Sequence, residues 1–253
     1  MADGVVHAAI GADGVARIAL DDAATRNGLT TALSEGLSDA LATAVARPEA
    51  RVVLLSGRPD FFSSGATREL LDELLDGARE ARDIGLPALL LGCPLPVVAA
   101  VQGAAVGGGL ALALSCDVTV AAEERRYGFN FMDLGFTPGM GCTRLVVDAV
   151  GAAFAAEMML TGKLYKGREL SGRGLFAHVV PEAEVLAQAE EIAARIADKP
   201  RGAVELLKES LALPRRLAWA EAISREHLMH RRCFEDPATR ARIAERFGAG
   251  RDE

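Results

Sequence analysis

The chain has 253 residues, half of them hydrophobic, which is enough for one large domain with a sizeable core. Its formal net charge is −7 and its isoelectric point lies near 5.3. No basic stripe is present to neutralise phosphates, so the composition argues against nucleic acid as a partner. An acidic carrier protein or another anionic ligand would need a local basic patch.

The cysteines lie too far apart for a CxxC pair or a zinc site. They are Cys93, Cys116, Cys142 and Cys233. Cys93 and Cys116 stand in apolar runs, so we expect buried, unreactive thiols in a reducing compartment, and no bound metal. The N-terminus lacks the features of a secretory signal, and prolines interrupt the longest apolar stretch, 88–106. We therefore expect a cytoplasmic protein with no membrane partner.

Strands and helices alternate in the first half of the chain. Strands are predicted at Val5–Ile10, Val15–Leu20, Arg51–Ser56, Pro96–Val101, Asp117–Ala122 and Arg126–Phe129. Helices are predicted from Thr30 or Thr31 to about Ala46, over Arg68–Leu91 with weak points at Gly77, Gly85 and Pro87, and after Gly109. Such crossover units imply an α/β fold with largely parallel strands and right-handed connections.

The second half is mostly helical. Helices are predicted at about 140–149, 151–161, 182–198, 200–212, 217–235 and 237–247. Pro200 and Pro214 are expected to separate the later ones. Since no linker or repeat interrupts the chain, we predict one continuous domain, with a core over 1–195 and a C-terminal helical region over 196–253.

A glycine-rich turn at Gly107, Gly108 and Gly109 follows a buried strand and opens an apolar helix. No side chain between Val106 and Leu114 is polar enough for catalysis, so the turn offers backbone N–H groups alone. Such groups are what an oxyanion site requires, although a turn of this kind also serves merely to pack a helix on a sheet. A second N–H group, from Ala66 in an earlier loop, could converge with that of Gly108.

Three segments together resemble the signatures of the crotonase (enoyl-CoA hydratase/isomerase) superfamily. They are Phe62-Ser-Ser-Gly-Ala-Thr67, Gln102-Gly-Ala-Ala-Val-Gly-Gly-Gly-Leu110 with Cys116-Asp117, and Gly135-Phe-Thr-Pro-Gly-Met-Gly141. The resemblance extends from Arg26-Asn-Gly-Leu29 to the C-terminal helices. It implies a spiral of ββα units and a C-terminal trimerisation region, with homotrimers that often pair into hexamers.

The same resemblance implies the substrate and the residues that bind it. The substrate is a thioester that itself carries phosphopantetheine or CoA, and no other cofactor is expected. Its carbonyl oxygen would lie between the N–H groups of Ala66 and Gly108, with Gly65 and Thr67 beside it. Arg26 corresponds to the region that holds the pantetheine arm.

The chain departs from the hydratases of this family at two positions. Hydratases carry two glutamates that position water, and here the corresponding residues are Ala111 and Phe131. No acid–base pair is then available to handle water, so hydration is not expected. Asp133 is the nearest carboxylate, either as a solvated or capping residue, which we favour, or as a relocated base.

Two segments, Tyr127–Gly141 and Glu226–Phe234, resemble the second hydratase-like enzyme of polyketide β-branching cassettes, which work with a hydroxymethylglutaryl-synthase-like enzyme. This branch implies decarboxylation of a 3-methylglutaconyl-type thioester on an acyl carrier protein, giving a 3-methylcrotonyl-type thioester through a dienolate. His230 would lie in the active site as proton donor, and Phe131 and Met132 would form an apolar wall that desolvates the carboxylate. From spacing alone, His227 or His230 is more typical of a packing or surface residue.

The branch usually supplies a lysine for the substrate carboxylate from the helix after the Phe62–Thr67 loop, and this helix has none. Arg68, Arg79 and Arg82 are the cations available there, and Arg79 is the preferred candidate. Two alternatives stay open: an isomerase or hydratase acting on CoA thioesters, and a non-catalytic thioester-binding scaffold.

Overall fold

The structure, a computed structural model, describes residues 4–248. Within that range the strands are β1 (Val6–Ile10), β2 (Val15–Leu20), β3 (Val52–Ser56), β4 (Phe61–Ser63), β5 (Val97–Val101), β6 (Ala104–Val106), β7 (Val118–Ala122), β8 (Arg126–Gly128), β9 (Tyr165–Lys166) and β10 (His178–Val180). The helices are α1 (Thr31–Ala46), α2 (Arg68–Leu75), α3 (Leu86–Gly92), α4 (Gly108–Leu114), α5 (Cys142–Val150), α6 (Ala152–Thr161), α7 (Gly167–Leu170), α8 (Val185–Ala197), α9 (Arg201–Phe234) and α10 (Pro237–Gly248). Single 3-10 turns cover Ala81–Asp83, Met132–Leu134 and Glu182–Glu184.

The strands form two sheets. The larger has the order β1-β2-β3-β5-β7-β10 and is parallel apart from the β1–β2 hairpin. The smaller has the order β4-β6-β8-β9 and is parallel apart from the β8–β9 pair. From β3 to β8, each long strand of the larger sheet is followed by a short strand of the smaller one and then by helix. This arrangement confirms the predicted α/β spiral of ββα units.

Helices cover both faces of the larger sheet. On one face, α1 buries a stripe of leucine and alanine. Thr30 caps the N-terminus of this helix, because its hydroxyl accepts the N–H of Leu33 at 3.1 Å. On the other face, α8 packs small side chains against the valines of β2, β3 and β5. The buried residues of α8, spaced four apart, are Val185, Ala189, Ala193 and Ala197. The predicted domain boundary after residue 195 falls within this helix and stays a prediction.

The predicted break at Pro214 is wrong, because α9 runs unbroken from Arg201 to Phe234 with this proline inside it. A proline in a helix removes one hydrogen bond, and tertiary contacts on both sides of it offset that loss here. Before it, Lys208 forms a buried salt bridge with Asp117 at 2.5 Å. After it, the Arg215 guanidinium donates to the Cys116 carbonyl oxygen at 3.1 Å.

The predicted helix over 68–91 is three pieces: α2, a 3-10 turn and α3. The interruptions fall at the predicted weak points, since Gly77 has a φ of +71° and Gly85 directly precedes α3. The short strands β4, β6 and β9 are absent from the sequence-based prediction, because two or three residues show no readable alternation. These strands matter for function, since β4 and β6 lead into the candidate site.

Cys93 and Cys116 are buried as predicted, and burial raises the pKa of both thiols, so both stay protonated. No cysteine pairs with another, and the part of the chain that the structure describes holds no cluster of metal-ligating side chains. None of the helices between residues 4 and 248 has both the length and the apolar character needed to cross a membrane.

Candidate active site

The loop that follows β4 is tied to the loop before α1. The buried Asn27 side chain donates to the carbonyl oxygen of Phe62 at 3.1 Å. In return, the Ser63 hydroxyl donates to the Asn27 carbonyl at 2.7 Å, and the N–H of Leu29 donates to the Gly65 carbonyl at 2.8 Å. These bonds fix the backbone where the chain passes from β4 towards α2.

Gly65 is the point where this loop meets the glycine-rich turn. Its φ is +84°, and a Cβ on it would lie 2.6 Å from the Val106 carbonyl oxygen and 3.1 Å from the Gly108 nitrogen. Only glycine permits that backbone conformation and that approach together. The structure therefore brings Ala66, the next residue, close to Gly108. Within residues 4–248, no hydrogen bond occupies the N–H of either residue.

The glycine-rich turn is held equally closely. Gly107 has a φ of +55°, and its N–H donates to the Gly128 carbonyl at 2.9 Å. A Cβ on Gly109 would lie 2.1 Å from the Ser63 carbonyl oxygen, so α4 is packed directly on the β4 backbone. Thr67 caps α2 by accepting the N–H of Leu70 at 3.2 Å. Both donor loops are thus anchored through backbone contacts.

The two positions that carry glutamate in hydratases face apolar surroundings. Ala111 is fully buried in α4, and the ring of Phe131 comes within 3.7 Å of the point where a Cβ on Gly107 would lie. Asp133 is exposed, and its carboxylate lies against Gly162 instead of the turn. Met132, the other residue of the predicted apolar wall, is 38% exposed, and its contact with the substrate stays a prediction.

His230 is connected to that wall through aromatic rings. Phe136 packs on Phe131 and on His230, with ring centroids 5.7 Å apart in both cases. The His230 Nε2 lies 2.6 Å from the Thr137 carbonyl oxygen, which can only accept, so Nε2 carries the proton. Nδ1 is buried and has no partner among the described residues. Burial lowers the pKa of His230, so near neutral pH its Nδ1 presents a free lone pair.

His230 also lines a cavity of about 450 Å³ at the C-terminal end of α2. Ala66 and Thr67 stand at the opposite end of this eight-residue helix, about 12 Å away at 1.5 Å per residue. Arg79 lines the cavity and lies 3.7 Å from the Glu73 carboxylate. His227 also lines it, with Nε2 3.9 Å from the Glu80 carboxylate.

A second cavity, of about 540 Å³, opens beside Ala66 and Thr67. Arg26 lines it, with its guanidinium carbon 5.2 Å from the centroid of the Phe61 ring. Arg68 and Arg246 add positive charge. The predicted residues therefore divide between two spaces: Arg26, Ala66 and Thr67 beside one, Arg79 and His230 beside the other.

Sequence reasoning missed three residues that hold these parts together. Met140 packs its sulfur against Gly108, while Trp219 and Glu226 of α9 bind the carbonyl oxygen and the N–H of the peptide bond that joins Met140 to Gly141. A glutamate and a tryptophan in a charged helix look like surface residues from sequence alone. Burial of the Glu226 carboxylate raises its pKa, and donors from Thr143 and Gly141 partly counteract that effect.

Comparison with known proteins gives a consistent result. The enoyl-CoA hydratase/isomerase family matches residues 11–246. The chain is 35% identical over 234 residues to the bacillaene synthase decarboxylase PksI of Bacillus subtilis, covering 92% of this chain and 94% of that protein. It is also 36% identical over 207 residues to a putative enoyl-CoA hydratase of Thermus thermophilus, covering 79% of this chain and 81% of that protein.

Solved structures show the same relationship. The ECH2 decarboxylase domain of CurF from Lyngbya majuscula superposes with a TM-score of 0.90 at 34% identity, covering 97% of this chain and all of that one. A structure from a dehydratase/decarboxylase enzyme couple involved in polyketide β-branching superposes with a TM-score of 0.90 at 34% sequence identity, covering 94% of each chain. These matches confirm the predicted superfamily and its predicted decarboxylase branch. The chain belongs to the enoyl-CoA hydratase/isomerase family, in which its similarity to decarboxylases extends over nearly its whole length.

Proposed function

We propose that this protein decarboxylates a 3-methylglutaconyl-type thioester carried on an acyl carrier protein and releases a 3-methylcrotonyl-type thioester. The observation that carries the proposal is a pair of backbone N–H groups, on Ala66 and Gly108, that donate to no other residue between 4 and 248 and lie beside apolar residues where hydratases have glutamate. This arrangement can stabilise an enolate but offers no carboxylate to position water. Similarity to PksI and to the CurF domain supports the same reaction.

In the proposed step, the bond between the γ carbon and the carboxylate breaks and CO2 leaves. The electron pair stays on the γ carbon and is delocalised through the double bond onto the thioester oxygen. The N–H groups of Ala66 and Gly108 stabilise that oxygen, and one such donor is typically worth roughly 3–4 kcal/mol of barrier height. A proton then adds to the γ carbon and restores a neutral thioester.

His230 is the proposed proton donor, and its hydrogen bond limits how it can act. Its Nε2–H is engaged by Thr137, so a proton for the dienolate has to come from Nδ1. Because the pKa of His230 is lowered and Nδ1 is buried, each cycle requires that a proton be delivered to Nδ1 from the cavity that His230 lines.

Arg79 is the proposed partner of the substrate carboxylate. It lines the same cavity as His230, and its contact with Glu73 is long enough, at 3.7 Å, to be exchanged for a better one. Leu74 and Leu75 of α2 add apolar surface to the wall of this cavity. Apolar surface next to the substrate carboxylate favours loss of its charge as CO2.

The thioester arm is proposed to bind in the cavity beside Ala66 and Thr67, with Arg26 at its side. The arm is the phosphopantetheine of the carrier protein, and we propose that the reaction needs no other cofactor. Similarity to a structure from a β-branching enzyme couple supports a carrier-bound substrate. A cytoplasmic location stays a prediction.

A homotrimer, or a hexamer made of two such trimers, is the proposed assembly. Its support is a set of leucines on α9 whose side chains are more than 45% exposed in the single chain. They are Leu206, Leu207, Leu211, Leu213, Leu217 and Leu228. Apolar patches of this kind mark protein interfaces.

Incubation of the protein with carrier-bound 3-methylglutaconyl thioester, followed by mass spectrometry of the carrier, tests the reaction. The expected result is loss of the mass of one CO2 from the acyl group. Unchanged acyl mass on a carrier shown to be competent, or a gain of one water, would overturn the proposal. The second outcome would instead indicate hydration.

A further inference from the structure

One face of α9 holds the loop before α5 through side-chain hydrogen bonds. The Trp219 indole N–H donates to the Met140 carbonyl at 3.2 Å, and His230 donates to the Thr137 carbonyl at 2.6 Å. Glu226 follows Trp219 by seven residues and precedes His230 by four, so the three side chains share one face of the helix.

Glu226 makes the densest set of contacts on this face. Its side chain is fully buried, one carboxylate oxygen accepts the Gly141 N–H at 2.6 Å, and the other accepts the N–H and hydroxyl of Thr143 at 2.9 and 2.7 Å. No salt bridge joins it to a cation in the described part of the chain. Its charge is therefore balanced by donors from one loop, and that loop is held to α9 in return.

Met140 directly precedes the peptide bond that Trp219 and Glu226 hold, and its backbone conformation is strained. Its φ is +62°, and the φ of Gly141 is +82°. A non-glycine residue in the left-handed region costs about 1 kcal/mol or more and persists only where its surroundings fix it. Here Trp219 fixes the Met140 carbonyl, and Glu226 fixes the N–H that follows it.

The strained residue touches the candidate oxyanion turn. The Met140 sulfur lies 2.9 Å from the position that a Cβ on Gly108 would occupy, and Leu29 Cδ1 lies 2.6 Å from the same position. Two side chains therefore pack on the same side of the Gly108 Cα, and one of them depends on the loop that α9 holds.

We propose that Glu226 is a positioning residue: by fixing Gly141 it holds Met140 against Gly108 and so sets the direction of the Gly108 N–H. This inference rests on the proposed use of the Ala66 and Gly108 N–H groups as oxyanion donors. It goes further because it assigns a role to a carboxylate that does not contact the substrate. That carboxylate is necessary for the two N–H groups to stabilise the oxyanion strongly.

The variant Glu226→Gln tests this proposal with minimal change of shape. Its amide oxygen can still accept from Thr143, while its NH2 group faces the Gly141 N–H, donor against donor. Tyr127→Phe is the matched control, since it removes a buried hydroxyl that bridges Ala122 N–H and the Val101 carbonyl in the larger sheet.

The first readout is the absorption band of a bound 2,4-dienoyl phosphopantetheine thioester, which moves to longer wavelength when donors polarise its carbonyl. The wild type and Tyr127→Phe should show the same shift, and Glu226→Gln a clearly smaller one. The second readout is decarboxylation, where Glu226→Gln should lower kcat by about ten- to a hundredfold with KM changed by less than about twofold.

The outcomes separate the two proposals. A wild-type protein that binds the probe without any shift overturns the oxyanion proposal and this inference with it. A normal shift in both the wild type and Glu226→Gln overturns the inference alone. If Glu226→Gln does not fold, it is replaced by Trp219→Phe, which removes the donor to Met140 and part of the ring that packs on Gly141. An unchanged band in that variant counts against the inference.

Discussion

The two ends of α2 differ in what they are made of. At its N-terminal end, the candidate oxyanion site consists of backbone N–H groups from Ala66 and Gly108. Glycines fix their positions, because only glycine allows the two backbone segments to come so close together. At its C-terminal end, the cavity of about 450 Å³ is lined by charged and titratable side chains, among them Arg79, His227 and His230. The residues at the first end, which we call the rigid end, can hardly be substituted, because their backbones are in contact. The side chains at the second end, which we call the variable end, could be changed by single substitutions.

This difference indicates how one fold can support different reactions. A backbone donor pair stabilises an enolate whatever its origin, so it need not change between hydration and decarboxylation. What changes is the set of side chains around the acyl group. In this chain Ala111 and Phe131 stand at the positions where hydratases have two glutamates, and Leu74 and Leu75 of α2 line the same cavity as His230.

The largest expected effect comes from altering the rigid end. In Gly109→Ala, the new Cβ would lie 2.1 Å from the Ser63 carbonyl oxygen, a backbone atom that cannot move away. We expect the free energy of unfolding to fall by about 3 kcal/mol or more, or no folded protein at all. Gly85→Ala is the control, since no atom lies within 4 Å of its added Cβ. Chemical denaturation of both variants measures the difference, and equal stabilities would contradict the close packing described.

The next largest effect should follow from replacing His230 at the variable end. Glutamine can reproduce the Nε2 donor to Thr137 but cannot exchange a proton near neutral pH. We therefore expect His230→Gln to keep most of the stability and to lose about 10²–10⁴-fold in kcat. His230→Ala should lose both stability and activity. Should His230→Gln retain wild-type kcat, the role of His230 would be that of a tether and not of an acid.

A smaller effect is expected at Arg79. Loss of one charge-assisted hydrogen bond to the substrate carboxylate, about 1.5 kcal/mol, should raise KM for the carboxylated thioester about tenfold in Arg79→Ala. Affinity for the decarboxylated product should stay unchanged. Arg82→Ala serves as control, because Arg82 lies on the adjacent 3-10 turn and its side chain is 57% exposed. Equal KM values in the two variants would show that Arg79 does not bind the substrate carboxylate.

The smallest effect concerns pH. The pKa of His230 is lower in the folded protein than in the unfolded chain, because burial disfavours the charged ring. Between the lowered pKa of the folded protein and the ordinary histidine pKa, the unfolded chain therefore binds more protons. The free energy of unfolding should fall as pH decreases through that interval and level off below it. His230→Gln should lose this dependence. Denaturation curves at several pH values compare the two, and parallel behaviour would contradict a buried neutral imidazole.

The rigid end could be predicted from sequence because its parts are local. Gly65 and Gly107 to Gly109 stand in short motifs, and glycines in such motifs indicate close approach and positive φ, as the structure shows for Gly65 and Gly107. The spiral of ββα units was likewise predictable, since strands with apolar cores alternate with helices.

The variable end could not be assembled in the same way. Arg79 and His230 are 151 positions apart in the chain, and only the packing of α9 on the 3-10 turn at Ala81–Asp83 brings them to one cavity. The course of α9 itself was predicted wrongly, because the helix passes Pro214 through contacts that Lys208 and Arg215 make with distant residues. Glu226 was missed for the same reason, since its partners lie 83 to 85 residues away.

The most direct test of the central claim is the reaction carried out in D2O with the carrier-bound 3-methylglutaconyl thioester. A dienolate held by Ala66 and Gly108 and then protonated should give a product that has lost CO2 and gained one deuteron at the former γ carbon, as read by mass spectrometry and NMR. Recovery of the intact carboxylated thioester, or of a hydrated one, would contradict the account.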